Sequence, residues 1–256
     1  MDSMMNPTAH SLVSWVGLMD EDGAPPDPVN DLRGLKAQLG ILQAAPISKQ
    51  MKIYSETTAT YMPALAAIFR QTPEVLGCIS VLLNAISSSP YFVRFLRSPG
   101  GAGIAALQAK RVANAVNEIP SMSVDDAAEI CQFLSTLLLL QGVQDVAEED
   151  KTILLKHLPI WERIFSGRLA AKTANRCLAQ LTDDPAMREM TRAVKTMLES
   201  KLEQCGGPGC TRRISEDGSK SALMHCSRCK TAVYCGAAHQ KAAWAEHKRI
   251  CFAPAF

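Results

Sequence analysis

No stretch of this 256-residue chain approaches the ~18 consecutive apolar residues that a membrane-spanning helix needs. The longest candidate, FLSTLLLL at Phe133–Leu140, has the length of a buried helix instead. The N-terminal stretch MDSMMNPTAHSLVSWVGLMDED lacks the basic start and small-residue cleavage site of a secretory signal, and its apolar run Leu12–Met19 passes directly into acids. Nor is there a large surplus of one charge: 27 basic residues face 25 acidic ones, and 47% of residues are hydrophobic, the balance of a soluble globular chain. Together these absences lead us to expect an intracellular protein, in the nucleus or cytoplasm. There the reducing milieu favours metal binding over disulfides wherever cysteines cluster.

Cysteine is scarce for most of the chain and then is not. Cys78, Cys131 and Cys177 are the only ones in the first 204 residues, whereas six of the nine fall in the last 52. Charge divides at the same place. From Cys205 onward eight basic residues face three acidic ones, a formal +5; the remainder has 19 against 22, a formal −3. The expected organisation is a flexible segment at 1–30, containing the loop APPDP at Ala24–Pro28, then an α-helical domain at 31–203, a metal-binding module at 204–252 and a disordered tail at 253–256.

Alternating, β-branched strand patterns are also nearly absent, and the fold class expected is mainly α. In DLRGLKAQLGILQ, Leu32, Leu35, Leu39 and Leu42 recur at three- and four-residue steps, the stripe of an amphipathic helix. PEVLGCISVLLNAI follows with Pro73 suited to a first helical turn. SVDDAAEICQFLSTLLLLQGV opens on Ser123 as N-cap, with Asp125 and Asp126 in the first turn, where the helix dipole favours acids. VLLNAISSSPYFVRFLRSPGGAGIAALQ reads as helix, break, short helix, glycine turn, helix, and resembles one armadillo-type repeat; ICQFLSTLLLLQGV…KTILLKHLPIWERIF resembles another. An irregular helical bundle is the alternative.

Catalytic motifs are missing from this helical part. GGAG at Gly100–Gly103 has no preceding strand and no following Lys-Ser/Thr, so it reads as a helix-breaking turn and not a phosphate loop. His157 has no nucleophile or carboxylate partner to name, and Cys78, Cys131 and Cys177 fall on apolar helical faces as small core residues.

What the C-terminus holds is ligand chemistry. The spacing is Cys205-x4-Cys210-x15-Cys226-x2-Cys229-x5-Cys235-x3-His239-x7-His247-x3-Cys251, eight donors in four pairs. Zinc takes thiolate and imidazole without redox chemistry, and the short loops inside the first two pairs (GGPG, SR) let both sulfurs turn to one ion. The alanine-rich CGAAHQKAAWAEHKRIC should be mostly helical, which makes Cys235/His239 and His247/Cys251 two i,i+4 pairs. His239 and His247 are eight residues apart, about 12 Å along a helix. Donors to one zinc each sit ~2.0–2.3 Å from it, so the two pairs must serve different ions. Two structural zincs are expected. His225, beside Cys226, is the competing ligand.

This pattern resembles the MYND-type zinc finger over 47 of the 256 residues. Tyr234 precedes the fifth ligand, Gln240 follows the sixth, and Trp244 and His247-Lys248 precede the last. The departure is His239, where the family usually has cysteine. The resemblance implies alternate pairing: Cys205, Cys210, Cys235 and His239 on one ion, Cys226, Cys229, His247 and Cys251 on the other. It also implies a protein-interaction module that binds short proline-containing peptides through Ser227, Gln240 and Trp244. With eight ligands filling two tetrahedra, no open position is expected for catalysis. The rival readings are a nucleic-acid-associated regulator using the basic module and a methyltransferase-related enzyme. Six thiolates and two zinc ions lower the module's formal charge from +5 to +3, and no SET-like β-rich domain is visible, so a zinc-binding adaptor is the expected function.

Overall fold

The computed structural model describes residues 6–18, 31–214 and 223–256. Among them are eleven α-helices and one two-stranded ribbon. In chain order these are α1 (Ala9–Ser14), α2 (Leu32–Gln43), α3 (Ile47–Gln71), α4 (Cys78–Ile86), α5 (Pro90–Leu96), α6 (Ile104–Asn114), α7 (Val124–Gln141), α8 (Glu148–Ile164), α9 (Leu169–Leu181), α10 (Pro185–Glu203), β1 (Met224–His225), β2 (Val233–Tyr234) and α11 (Ala237–His247). The mainly-α expectation holds. Among the described residues no single helix is long and apolar enough to cross a membrane; α4 and α5 pass only as a pair, bent by 111°.

Local chemistry explains several of the boundaries. Ser123 Oγ accepts from Asp126 N at 3.1 Å and starts α7 as expected, a cap of about 1 kcal/mol. Pro73, by contrast, does not open α4. That helix begins at Cys78, where Ser80 Oγ accepts from Gly77 N at 2.9 Å, so the local side-chain acceptor and not the proline sets the start. Gly103 takes φ +74° ahead of α6, the left-handed turn expected of the glycine run. The stretch expected to give helix, break, short helix, glycine turn and helix is α4–α6.

The helices enclose two hydrophobic clusters. One gathers Leu35, Leu39 and Leu42 of α2 with Met62, Leu65 and Phe69 of α3, Leu82 of α4, Phe92 and Phe95 of α5 and Phe133 of α7. The other centres on Trp161 of α8, with Cys131 and Cys177 buried beside it from α7 and α9. Burial pushes the Cys131 thiol up to about 12 and that of Cys177 well above the ordinary range, as befits small core residues.

Two expectations about the ends are corrected. Thr8 and Ser11 form a reciprocal capping box for α1, whose Leu12 and Val13 are fully buried in the first cluster. The segment expected to be flexible at 1–30 is therefore structured core over residues 6–18; the loop expected at Ala24–Pro28 lies outside the described residues. The tail is not loose either. Phe256 meets Phe95 edge-on, with centroids 5.1 Å apart, and lies under the Arg94 guanidinium.

A proline explains where the tail attaches. Pro63 lies inside α3 and has no N–H for the Ala59 carbonyl four residues back. The vacant acceptor is buried, so leaving it unpaired would be costly. Ala255 N donates to it at 2.8 Å.

Candidate metal centre

The C-terminal module follows α10 directly. Its first loop turns at Gly207–Cys210, with Cys210 N donating to Gly207 O at 3.0 Å. The β1–β2 hairpin pairs Met224 with Tyr234 and His225 with Val233. Between these strands the chain reverses at Lys230, φ +54°, where Lys230 N bonds Cys226 O. The strand–turn therefore carries Cys226 and Cys229, β2 delivers Cys235 to the start of α11, and α11 presents His239 and His247.

Eight donors converge in two groups: Cys205, Cys210, Cys235 and His239, and separately Cys226, Cys229, His247 and Cys251. The ligand atoms of each group all lie within 4.8 Å of one another. In the first, Cys205 Sγ is 3.3 Å from His239 Nδ1 and Cys210 Sγ is 3.5 Å from Cys235 Sγ. In the second, Cys226 Sγ is 3.7 Å from Cys251 Sγ and Cys229 Sγ is 3.7 Å from His247 Nε2. A tetrahedron with bonds of ~2.3 Å to sulfur and ~2.0–2.1 Å to nitrogen separates sulfurs by about 3.8 Å and sulfur from nitrogen by about 3.6 Å. The geometry and the donor set fit two zinc ions. Such ions would offset two of the three thiolate charges in each group and tie two ligand pairs together, with no redox chemistry.

The surrounding polarity agrees. Burial alone would raise the Cys205 thiol, but the N–H groups of Gly207 and Cys235, at 3.4 and 3.3 Å, and the His239 ring hold it at about 6. Cys229 Sγ likewise receives Thr231 N and Ala232 N at 3.4 and 3.5 Å. Burial and the neighbouring Cys229 and Cys226 sulfurs push Cys251 up to about 12. Crowded thiols of this kind ionise together only beside a cation.

Helix bounds differ from expectation. Cys235 precedes α11, ahead of the extended Gly236, and Cys251 follows the turn at 248–250, so only the two histidines are helical. They still point to different groups, because eight residues of helix separate them. His225, the competing ligand, is exposed on β1 and belongs to neither group.

Sequence reasoning missed several supporting residues. A Cβ on Gly207 would stand 2.7 Å from both Cβ and Cγ of His239, so this glycine permits the approach of the imidazole. Tyr91 of α5 packs among Cys205, Cys226, Cys229, Tyr234 and Cys251, a contact between distant parts of the chain that no local pattern announces. Tyr234, already part of the sequence motif, stands edge-on to His247 at 5.9 Å.

Of the residues the resemblance assigns to peptide binding, Ser227 is exposed in its turn and Gln240 is half-buried on α11. Trp244, one helical turn beyond Gln240, is 41% exposed with its ring tilted against His247 at 5.8 Å. A separate, apolar groove of about 500 Å³ runs between α11 and the helical domain, where Ile47 and Met51 face Ala242 and Ala245. None of Ser227, Gln240 and Trp244 lines it.

Residues 203–251 match the family model described as the MYND finger. No curated protein and no solved structure matches the chain. The C-terminal module is thus a MYND finger, generally a protein-interaction module, with two zinc sites on a mainly α-helical partner domain.

Proposed function

We propose that this protein is a zinc-dependent adaptor whose finger holds a short proline-containing segment of another protein against the outer face of α11. The observation that carries the reading is Trp244: an indole 41% exposed on a helix otherwise edged by Lys241, Glu246 and Lys248. An indole whose role was to close the small core would be covered. An exposed one offers a flat apolar face on which proline stacks, and the Gln240 amide one turn away can pair with a peptide backbone. Ser227 supplies the third contact in this reading.

The reading assigns no catalysis to the chain. Each group has four protein donors, which closes the tetrahedron and leaves no coordination position for water. It also prefers protein to nucleic acid as the partner. Arg213 is paired with Glu203 and Arg249 lies 3.7 Å from Glu246, so two of the module's eight basic side chains are engaged within the fold. Six thiolate ligands suit a reducing, intracellular location.

Calorimetric titration of the zinc-loaded chain with a panel of proline-containing peptides tests the proposal. A peptide that binds the wild type should lose at least tenfold in affinity to Trp244→Ala, with zinc content and melting temperature unchanged. Equal binding by both proteins would remove the indole from the interface and the proposal with it.

A further inference from the structure

The second metal group is braced from outside the finger. Tyr91 Oη lies 2.9 Å from Ile250 O and 2.8 Å from Phe252 N, in the two peptides that flank the ligand Cys251, and 3.0 Å from Phe252 O, one peptide further on. A phenol has one proton, so it donates to one carbonyl at a time while accepting from the Phe252 N–H. Arg94 stands three residues on, on the same face of α5. Its Nη1 donates to Cys229 O at 2.9 Å and to Thr231 Oγ1 at 3.4 Å. Thr231 Oγ1 in turn donates to Cys229 O, and Thr231 N donates to Cys229 Sγ. One turn of a helical-domain helix therefore grips the backbone at two of the four ligands. The first group differs: among the described residues, no α5 side chain forms a hydrogen bond to the backbone of Cys205, Cys210, Cys235 or His239.

We infer that Tyr91 and Arg94 are positioning residues of the second zinc site, so that the helical domain forms part of its outer shell. Outer-shell partners fix the direction of a ligand and so its affinity. Cys251 lies past the end of α11, outside regular structure, where the Tyr91 hydroxyl bonds the backbone on both sides of it. The tail beyond it is pinned by the Ala255–Ala59 hydrogen bond and the Phe256–Phe95 contact. The inference concerns the chain's own residues and stands apart from the question of what peptide the finger binds.

Site-resolved zinc release in the full chain tests it. The zinc-loaded protein is mixed with excess chelator and a maleimide, and tryptic mass spectrometry follows labelling at each cysteine. In Tyr91→Phe and Arg94→Ala, labelling of Cys226, Cys229 and Cys251 should accelerate by roughly 10- to 100-fold, the range for loss of an outer-shell partner. Labelling of Cys205, Cys210 and Cys235 should stay near the wild-type rate. Tyr91→Phe keeps the buried ring and removes only the hydroxyl. Arg94→Ala uncovers Phe256 but leaves every fully buried side chain in place, and it decides the matter alone should the phenylalanine variant lose helical circular dichroism. Equal acceleration at both sets of cysteines, or none at either, overturns the inference.

Discussion

Replacing Gly207 with alanine is a perturbation of one methyl group, and its consequence can be worked from distances. The new Cβ would meet Cβ and Cγ of His239 at 2.7 Å and Nδ1 at 2.9 Å. Ordinary carbon contacts begin at about 3.5 Å, so loop and imidazole must part by roughly 0.8 Å. Ligand distances in a metal site tolerate only about ±0.2 Å, and Nδ1 is the atom that faces Cys205 Sγ at 3.3 Å. Neither contacting carbon can swing aside, because both are held close to the α11 backbone. A loss of about 10- to 100-fold in zinc affinity is expected at the first site, similar to that for an outer-shell defect. The second site should be unaffected. Competition with a chromogenic chelator, read as two zinc equivalents of distinct affinity, measures this. Gly209→Ala is the control: its φ of +68° strains an alanine, yet nothing lies within 4 Å of the added carbon. It should cost about 1–2 kcal/mol of backbone strain while both zincs stay bound. If Gly207→Ala kept two zincs at wild-type affinity, or if Gly209→Ala were the more damaging to metal binding, the steric argument would be wrong.

Two further outcomes follow from the site and the core. Metal analysis by mass spectrometry should find two zincs per wild-type chain and one in His239→Ala; two in both would place the imidazole outside the coordination shell. The buried thiols make the helical domain sensitive to alkali. Burial holds Cys131 at about 12 when folded, whereas an unfolded thiol titrates near ~8.5. The raised folded value means that the contribution is complete below the unfolded pKa and is lost as pH rises towards the folded one. Urea unfolding should therefore show declining stability above about pH 9, with a shallower decline in Cys131→Ala; parallel profiles would deny the thiol that role.

Some of this architecture was legible because the relevant physics is local. The leucine stripe of α2 buries Leu35, Leu39 and Leu42, since helical periodicity alone places them on one face. The ligand spacing is informative for the same reason: sulfur and imidazole in short-range pairs form a zinc-ligand pattern that can be read within a few residues. The capping box at Thr8 and Ser11 is also local, but the prolines and acids that follow it favour loop over the same region. Helix starts were less secure where two signals competed, as Pro73 and Ser80 did ahead of α4.

The junction between the domains was not legible, and Pro63 shows why. Within the sequence a proline inside an apolar helix predicts a lost hydrogen bond and nothing about what replaces it. The replacement is Ala255, 196 residues away, and a choice over that separation rests on tertiary packing that no window of sequence contains. The same holds for Tyr91, whose hydroxyl meets residues about 160 positions later. A charge and cysteine boundary near residue 204 separates two kinds of chemistry. The two sides are joined through α5, whose Tyr91 and Arg94 bond the backbone beside Cys251 and at Cys229, and through the Ala255–Ala59 hydrogen bond that fills the acceptor Pro63 leaves open. A finger cut out at that boundary would therefore lose the Tyr91 and Arg94 donors at once. Its second metal site should bind more weakly than in the full chain even with every ligand present.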